Sequence, residues 1–252
     1  MKREELTTYL DTLLETNEFE DYGPNGLQVE GKEEISTIIT GVSGCVDLFE
    51  QALQHNADAI IVHHGIIWWD FDRPVIKGSY KKRIKLLLDN NINLFGYHLP
   101  LDCHPTYGNN IQIAQHLGFT KNTTAFSYKG HHIGIISELA SPLQKEALYS
   151  QVKQIINPNS LLFDYGPTHL QKIAIVSGAG ESLFREAIDQ GVDCFITGEV
   201  KEHIMHLAKE EQVSFISAGH HATERFGIKA LGDHLKDHFN LNIHYIDIPN
   251  PV

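Results

Sequence analysis

Little in this chain speaks for a disulfide, a membrane span or a phosphate-binding surface. Its three cysteines, Cys45, Cys103 and Cys194, stand far apart and form no C-x-x-C pair. That excludes a disulfide framework and leads to the expectation of a reducing, cytoplasmic setting. No apolar run approaches the ~20 residues that cross a bilayer. The stretch from Met1 to Asn17 mixes charge with leucine at helical spacing and lacks the apolar core of a signal peptide. Positive charge is scarce as well, with 20 basic against 32 acidic side chains and a net charge of −12. Such a surface argues against nucleic acid as a partner. The densest basic run, Lys81-Lys82-Arg83, reads as the solvated start of a helix.

Histidine is what the chain has in excess, 16 in 252 residues, so placement rather than number has to carry the argument. His116, His206, His234 and His238 fall in helical stretches and read as surface residues. His104, His131, His132 and His203 read as hydrogen-bonded structural residues. Three words differ from these: Val62-His63-His64-Gly65, Tyr97-His98-Leu99-Pro100-Leu101-Asp102 and Gly219-His220-His221-Ala222-Thr223-Glu224. Each places histidine at the end of an apolar run, and the last two add a carboxylate four positions after the histidine. Imidazole with carboxylate suits zinc, iron or manganese. Paired histidines after a buried strand are costly without partners. The three segments supply donors enough for two ions.

Strand-like and helix-like runs alternate, which predicts an α/β fold. Strands are expected at Ser36 to Val42, Ala57 to Val62, Ile92 to Tyr97, His132 to Glu138, Lys172 to Val176, Cys194 to Thr197, Val213 to Ser217 and Ile243 to Ile248. Helices are expected between most of them, one opening at Pro142 as a first-turn proline. The chain also repeats itself. Ile38 to Gly65 overlays Ile173 to Val200 at an offset of 135, matching Leu48-Phe49 with Leu183-Phe184, Asp58 with Asp193 and Ile61 with Ile196. With one turn shortened, His98 meets His220 and Asp102 meets Glu224. The reading is therefore two pseudo-symmetric α/β subdomains with a metal site in the cleft between them, at the carboxyl ends of strands. The halves are set at 1–125 and 126–252, with 240–252 expected to pack back onto the first.

Local geometry refines the donors. Neighbouring strand residues point to opposite faces, so His63 and His64 can share a site only where the strand ends, at a turn that Gly65 permits. His220 and Glu224 converge if a helix begins within their word; His221 then points elsewhere. Pro100 and Pro105 bracket Asp102, which is expected to be a non-helical loop carboxylate.

Six segments occur in order: Asp21-Tyr22-Gly23-Pro24-Asn25-Gly26-Leu27-Gln28-Val29, Val62 to Gly65, His98 to Asp102, Ile196-Thr197-Gly198-Glu199-Val200, Gly219 to Glu224, and Ile246-Asp247-Ile248-Pro249-Asn250-Pro251. Together they resemble the bacterial dinuclear-metal family known as GTP cyclohydrolase I type 2 homologs, or Nif-three-like proteins, in its compact form. The resemblance implies a two-domain α/β protomer, a toroidal homo-hexamer and two divalent metals per protomer. It assigns His63, His64, Asp102, His220 and Glu224 as ligands, with Glu224 bridging. It sets His98 beside the site, as an orienting residue or proton shuttle. The activity it points to is hydrolysis of a small substrate by a metal-bridging hydroxide. The alternative is a non-catalytic metal-binding adaptor or metallochaperone. The chain has no cysteine-histidine set placed like the zinc site of the true GTP cyclohydrolases.

Overall fold

In a computed structural model of the chain, residues 1–69 and 75–252 are described. They form two compact units: Met1–His104 with Gly227–Pro249, and Pro105–Phe226 with Asn250–Val252. The first changeover lies at 104/105, ahead of the position 125 expected from sequence. The reason is packing: Ile113, Ala114, Leu117 and Phe119 are buried in a core of the second unit.

The first unit contains α1 (Arg3–Leu13), β1 (Gly26–Val29), β2 (Thr37–Ser43), α2 (Val46–Gln54), β3 (Ala59–His64), α3 (Gly78–Asp89), β4 (Asn93–Gly96) and α4 (Leu99–Cys103). The second contains α5 (Asn109–His116), β5 (Asn122–Tyr128), β6 (His131–Gln144), α6 (Lys145–Ile155), β7 (Leu161–Phe163), β8 (His169–Val176), α7 (Phe184–Asp189), β9 (Cys194–Thr197), α8 (Glu202–Glu211) and β10 (Ser214–Ser217). Helix α9 (His220–His238) begins in the second unit, and from Gly227 its residues count with the first. A last strand, β11 (Asn242–Tyr245), joins the first unit's sheet beside β2.

That sheet has the order β1-β4-β3-β2-β11, parallel except for β1. Its middle strand, Ala-Ile-Ile-Val-His-His, is buried up to His63. A continuous apolar run is what a parallel strand covered on both faces requires. One face packs Ile39, Ile60, Val62 and Leu94 under Leu48, Phe49 and Ala52 of α2 and Leu87 of α3. The second sheet runs β5-β6-β8-β9-β10-β7, with β8, β9 and β10 parallel and the flanking strands antiparallel. Period-two alternation sends Ile173, Ile175, Cys194 and Ile196 to one face under α5 and α6, and Ala174, Val176, Phe195 and Phe215 to the other under α7 and α8.

The internal repeat survives at the level of single hydrogen bonds. Ile38 pairs with Ala59 in the first unit, and Ile173 with Cys194 in the second, which is the same register under the offset of 135. Asp58 Oδ2 accepts the backbone N–H groups of Ser36 and Thr37, each at 3.0 Å. Asp193 Oδ2 accepts those of Gln171 and Lys172 at 2.7 and 2.9 Å. These are the same positions in the two copies. Each aspartate caps the start of one parallel strand against the start of the next.

Two local expectations are corrected. The helix expected at Pro142 begins at Lys145, because β6 continues to Gln144, pairing Leu143 with Leu170 and Gln144 with His169. Pro142 falls in the irregular stretch between Glu138 and Leu143, where its missing N–H interrupts no ladder. The segment around Asp102 is helical, not a loop, since Pro100 lies in the first turn of α4, where a proline's absent N–H is tolerated. Both strands flanking the second sheet, β5 and β7, are additions to the sequence reading. The first is only half-buried and the second spans three residues.

Candidate metal centre

In the first unit the donors lie at the carboxyl ends of β3 and β4. His63 and His64 close β3 with ring centroids 4.7 Å apart. The His98 ring, at the entry to α4, lies 5.1 Å from His63 and 5.6 Å from His64. Each of the three offers a ligand nitrogen within 4.8 Å of the others'. Asp102, one turn into α4, brings Oδ2 to 3.6 Å from His63 Nε2. The unit thus gathers three imidazoles and a carboxylate, and His98 stands among the other rings rather than outside them.

Gly65 follows β3, but its role is not a left-handed turn. A Cβ there would meet the Gln28 amide at 2.3 Å, so the glycine admits a side chain. Gln28 in turn accepts the Ile66 N–H and donates to the Pro24 carbonyl, at 2.8 Å each, tying the β1 region to the turn after the histidines.

In the second unit the word at Gly219 forms the start of α9. Gly219 takes φ +92, a conformation few side-chain-bearing residues adopt. The helix then sets His220 Nε2 3.0 Å from Glu224 Oε2, the i, i+4 convergence expected from the sequence. Thr223 is fully buried and links its hydroxyl to the Gly219 carbonyl and the Gly178 N–H, at 2.9 and 3.0 Å. The Gly178 loop, after β8, therefore lies against the site. A Cβ on Gly178 would meet Glu224 Oε1 at 2.3 Å. His221 is buried and its N–H bonds the Val252 carbonyl.

Every imidazole of the two sets has an oxygen at Nδ1. His63 donates to the Tyr97 carbonyl at 2.9 Å, and His64 pairs with Ser43 Oγ at 3.1 Å. His98 pairs with Asp21 Oδ1 at 2.8 Å and His220 with Glu199 Oε1 at 2.6 Å. A carbonyl or carboxylate only accepts, so in His63, His98 and His220 it fixes a proton on Nδ1. In His63 and His98 that makes Nε2 the lone-pair nitrogen, whereas His220 Nε2 faces a second acceptor, Glu224 Oε2, and would give up its proton to take a metal. An acceptor at Nδ1 is the arrangement found around metal-bound histidine. The donors are nitrogen and oxygen throughout, a set suited to zinc, iron or manganese.

Electrostatics differ between the sets. Burial disfavours the charged form of His220, but its bonds to Glu224 and Glu199 outweigh that and push it up to about 9. Burial likewise opposes ionisation of Asp21, yet the bonds from His98, Asn25 and Leu99 hold it down at about 2. Burial and the nearby Asp102 and Asp21 raise the Cys103 thiol far above its usual range.

Asp21, Glu199, Thr223 and Gly178 were not singled out as functional by sequence reasoning. Asp21 and Glu199 do lie in two of the six quoted segments, but 77 and 21 residues from the histidines they meet, so no local signal in the sequence pairs them.

The family described as Duf34/NIF3 (NGG1p interacting factor 3) matches residues 1–251. The chain is 44% identical over 249 residues to a "GTP cyclohydrolase 1 type 2 homolog" of Pasteurella multocida, covering 98% of each chain. It is 43% identical over 255 residues to the protein of the same name in Escherichia coli K12, covering all of both. Among solved structures, protein ybgI, described as of unknown function, superposes with a TM-score of 0.94 at 43% identity over the full length of both chains. TTHA1606 of Thermus thermophilus does so at 0.90 and 35%, again over both full lengths. By sequence and by fold, this chain belongs to the Duf34/NIF3 family.

Proposed function

We propose that the chain binds two divalent metal ions and is a metal-dependent hydrolase acting on a small electrophilic substrate. His63, His64, Asp102, His220 and Glu224 would hold the ions, the ligand set that the family resemblance implies. The observation that carries this reading is the tethered Nδ1 of His63 and His220, held by a carbonyl and a carboxylate so that Nε2 is the nitrogen a metal would take. When bound, such a pair polarises a carbonyl or phosphoryl group and lowers the pKa of water at the site.

The chain's own residues do the rest. Tyr97 and Glu199 fix the rings of His63 and His220. Asp102 and Glu224 bring negative charge that offsets the ions. His98, whose ring is only partly buried, relays a proton between water and the leaving group. The working form is a homo-hexamer ring in the cytoplasm, a proposal resting on the family resemblance. Among the described residues no helix is long and apolar enough to cross a membrane.

Metal content tests the reading first, by elemental analysis of untagged protein purified without chelator. Two equivalents of a transition metal per chain, lost in His220→Ala, are expected. A panel of phosphate esters, nucleotides and cyclic amides then tests turnover. Fewer than two equivalents after reconstitution would refute the dinuclear site. Two fast-exchanging equivalents without turnover would replace the hydrolase with a metal carrier. Light scattering checks the hexamer.

A further inference from the structure

The segment Asp21-Tyr22-Gly23-Pro24-Asn25 has no part in the ligand set, yet it is built around His98. The Asp21 side chain is 1% exposed. Its Oδ1 accepts the Tyr22 N–H at 2.7 Å and meets His98 Nδ1 at 2.8 Å. Its Oδ2 accepts the Leu99 N–H at 2.9 Å and the Asn25 amide at 3.0 Å. Asn25 Oδ1 in turn accepts the His98 backbone N–H at 2.9 Å. A buried carboxylate with four donors is saturated and has no capacity left for a metal. Its bonds go to the loop, to the start of α4 and to one ring.

That ring is also walled. Trp68 meets it edge-on at 5.3 Å and Tyr22 at 6.0 Å. A cavity of about 10 Å³ is lined by His98 and His63 together with Asn25, Gln28 and Trp68. That is the room one water needs, in a polar surround.

We propose that Asp21 is a positioning residue for His98: it holds the ring as the Nδ1–H tautomer, so that the Nε2 lone pair accepts a hydrogen bond from a water or substrate hydroxyl beside the His63 cluster. With a purely structural role, Asp21 would be a loop staple. A staple satisfied by backbone donors alone would not need an imidazole, and the imidazole it takes stands among the candidate ligands. The catalytic meaning rests on the hydrolase reading; the tautomer does not.

Long-range nitrogen–proton NMR spectra of the histidine rings in the full chain separate the two. His98 is assigned by its loss in His98→Gln. In the native protein we expect His98 with its proton on Nδ1, metal-free or loaded. In Asp21→Ala the ratio of Nδ1–H to Nε2–H should fall by about tenfold or more, the weight of one hydrogen bond to a charged group. Bound metal should be unchanged in both variants. Asp21→Asn serves if the alanine variant does not fold; one amide oxygen cannot serve four donors, and the ratio should fall there too. An Nε2–H ring in the native protein, or an unchanged ratio in a folded variant, would overturn the assignment. Metal lost in both His98→Gln and Asp21→Ala would overturn it as well, by making His98 a ligand. Absence of metal from the native protein would sink the hydrolase reading while leaving the Nδ1–H result in support of the positioning role.

Discussion

Two glycines give a controlled test of whether Glu224 holds metal. Gly178 and Gly191 both take left-handed backbone, φ +64 and +70. A side chain at either costs roughly 1–2 kcal/mol in backbone strain. For a chain of this size that lowers the melting temperature by about 2–8 °C. Their surroundings differ completely. A Cβ at Gly191 meets nothing within 4 Å, whereas at Gly178 it meets Glu224 Oε1 at 2.3 Å and His220 Nε2 at 3.3 Å. The carboxylate would have to retreat by about 1 Å to restore ordinary contact. Taken at the scale of a lost outer-shell partner, that displacement costs about 10- to 100-fold in metal affinity. At saturating metal this removes about 1.4–2.7 kcal/mol of stabilisation by binding. Without metal, Gly178→Ala should melt below Gly191→Ala by the overpacking of Glu224, about 1–3 kcal/mol. With excess zinc or manganese, that gap should widen by about 3–10 °C. Thermal melts with and without metal, paired with calorimetric titration, give the comparison. If the two variants gain equally from metal, Glu224 is not a ligand and the proposed ligand set loses a member.

Glu199→Gln removes the anion at His220 Nδ1 and should weaken metal binding about tenfold or more; titration calorimetry checks it. Asp58→Asn and Asp193→Asn should each destabilise by about 1.5–3 kcal/mol, since each carboxylate accepts two backbone N–H groups, and denaturant unfolding reads the loss. Burial opposes ionisation of Asp58, but its bonds to Lys32, Ser36 and Thr37 hold it lower than usual. Its stabilisation is therefore complete above the unfolded value near 4 and is lost as pH falls through the lower folded value. The native protein should lose stability on that acid limb and Asp58→Asn should lose less; equal slopes would refute the assignment. Gly65→Ala should cost about 1–3 kcal/mol by overpacking Gln28, and much less in a Gln28→Ala background. A double-mutant cycle that comes out additive would deny the contact.

The sequence was most informative where one physical demand acts alone. Buried parallel strands demand unbroken apolar runs, so β3, β8 and β9 could be read directly, and so could the repeat that relates them. The convergence of His220 and Glu224 followed from helical spacing. It was less informative where two demands compete. Pro142 satisfies the rule for a helix start, but the pairing of Leu143 and Gln144 with β8 decides the matter. Pro100 looks like a helix breaker and is a first-turn residue. The partners of the histidines were least visible. Asp21 and His98, like Glu199 and His220, are far apart in the chain, and no local period links them. Only the fold brings each carboxylate to its ring.

The paired aspartates Asp58 and Asp193 separate two tasks along one strand. Each stands just before its strand and locks that end to the neighbouring strand. The residues that follow the same strands do the opposite of staying alike. Where the first copy closes β3 with His63 and His64, the second follows β9 with Gly198 and Glu199, the latter serving a histidine instead of being one. Anchorage is inherited unchanged at one end, and the other end is left to diverge. A fold arranged this way can exchange the residues at its reactive rim without reopening the question of whether it folds, and two copies of one unit can come to hold different donors.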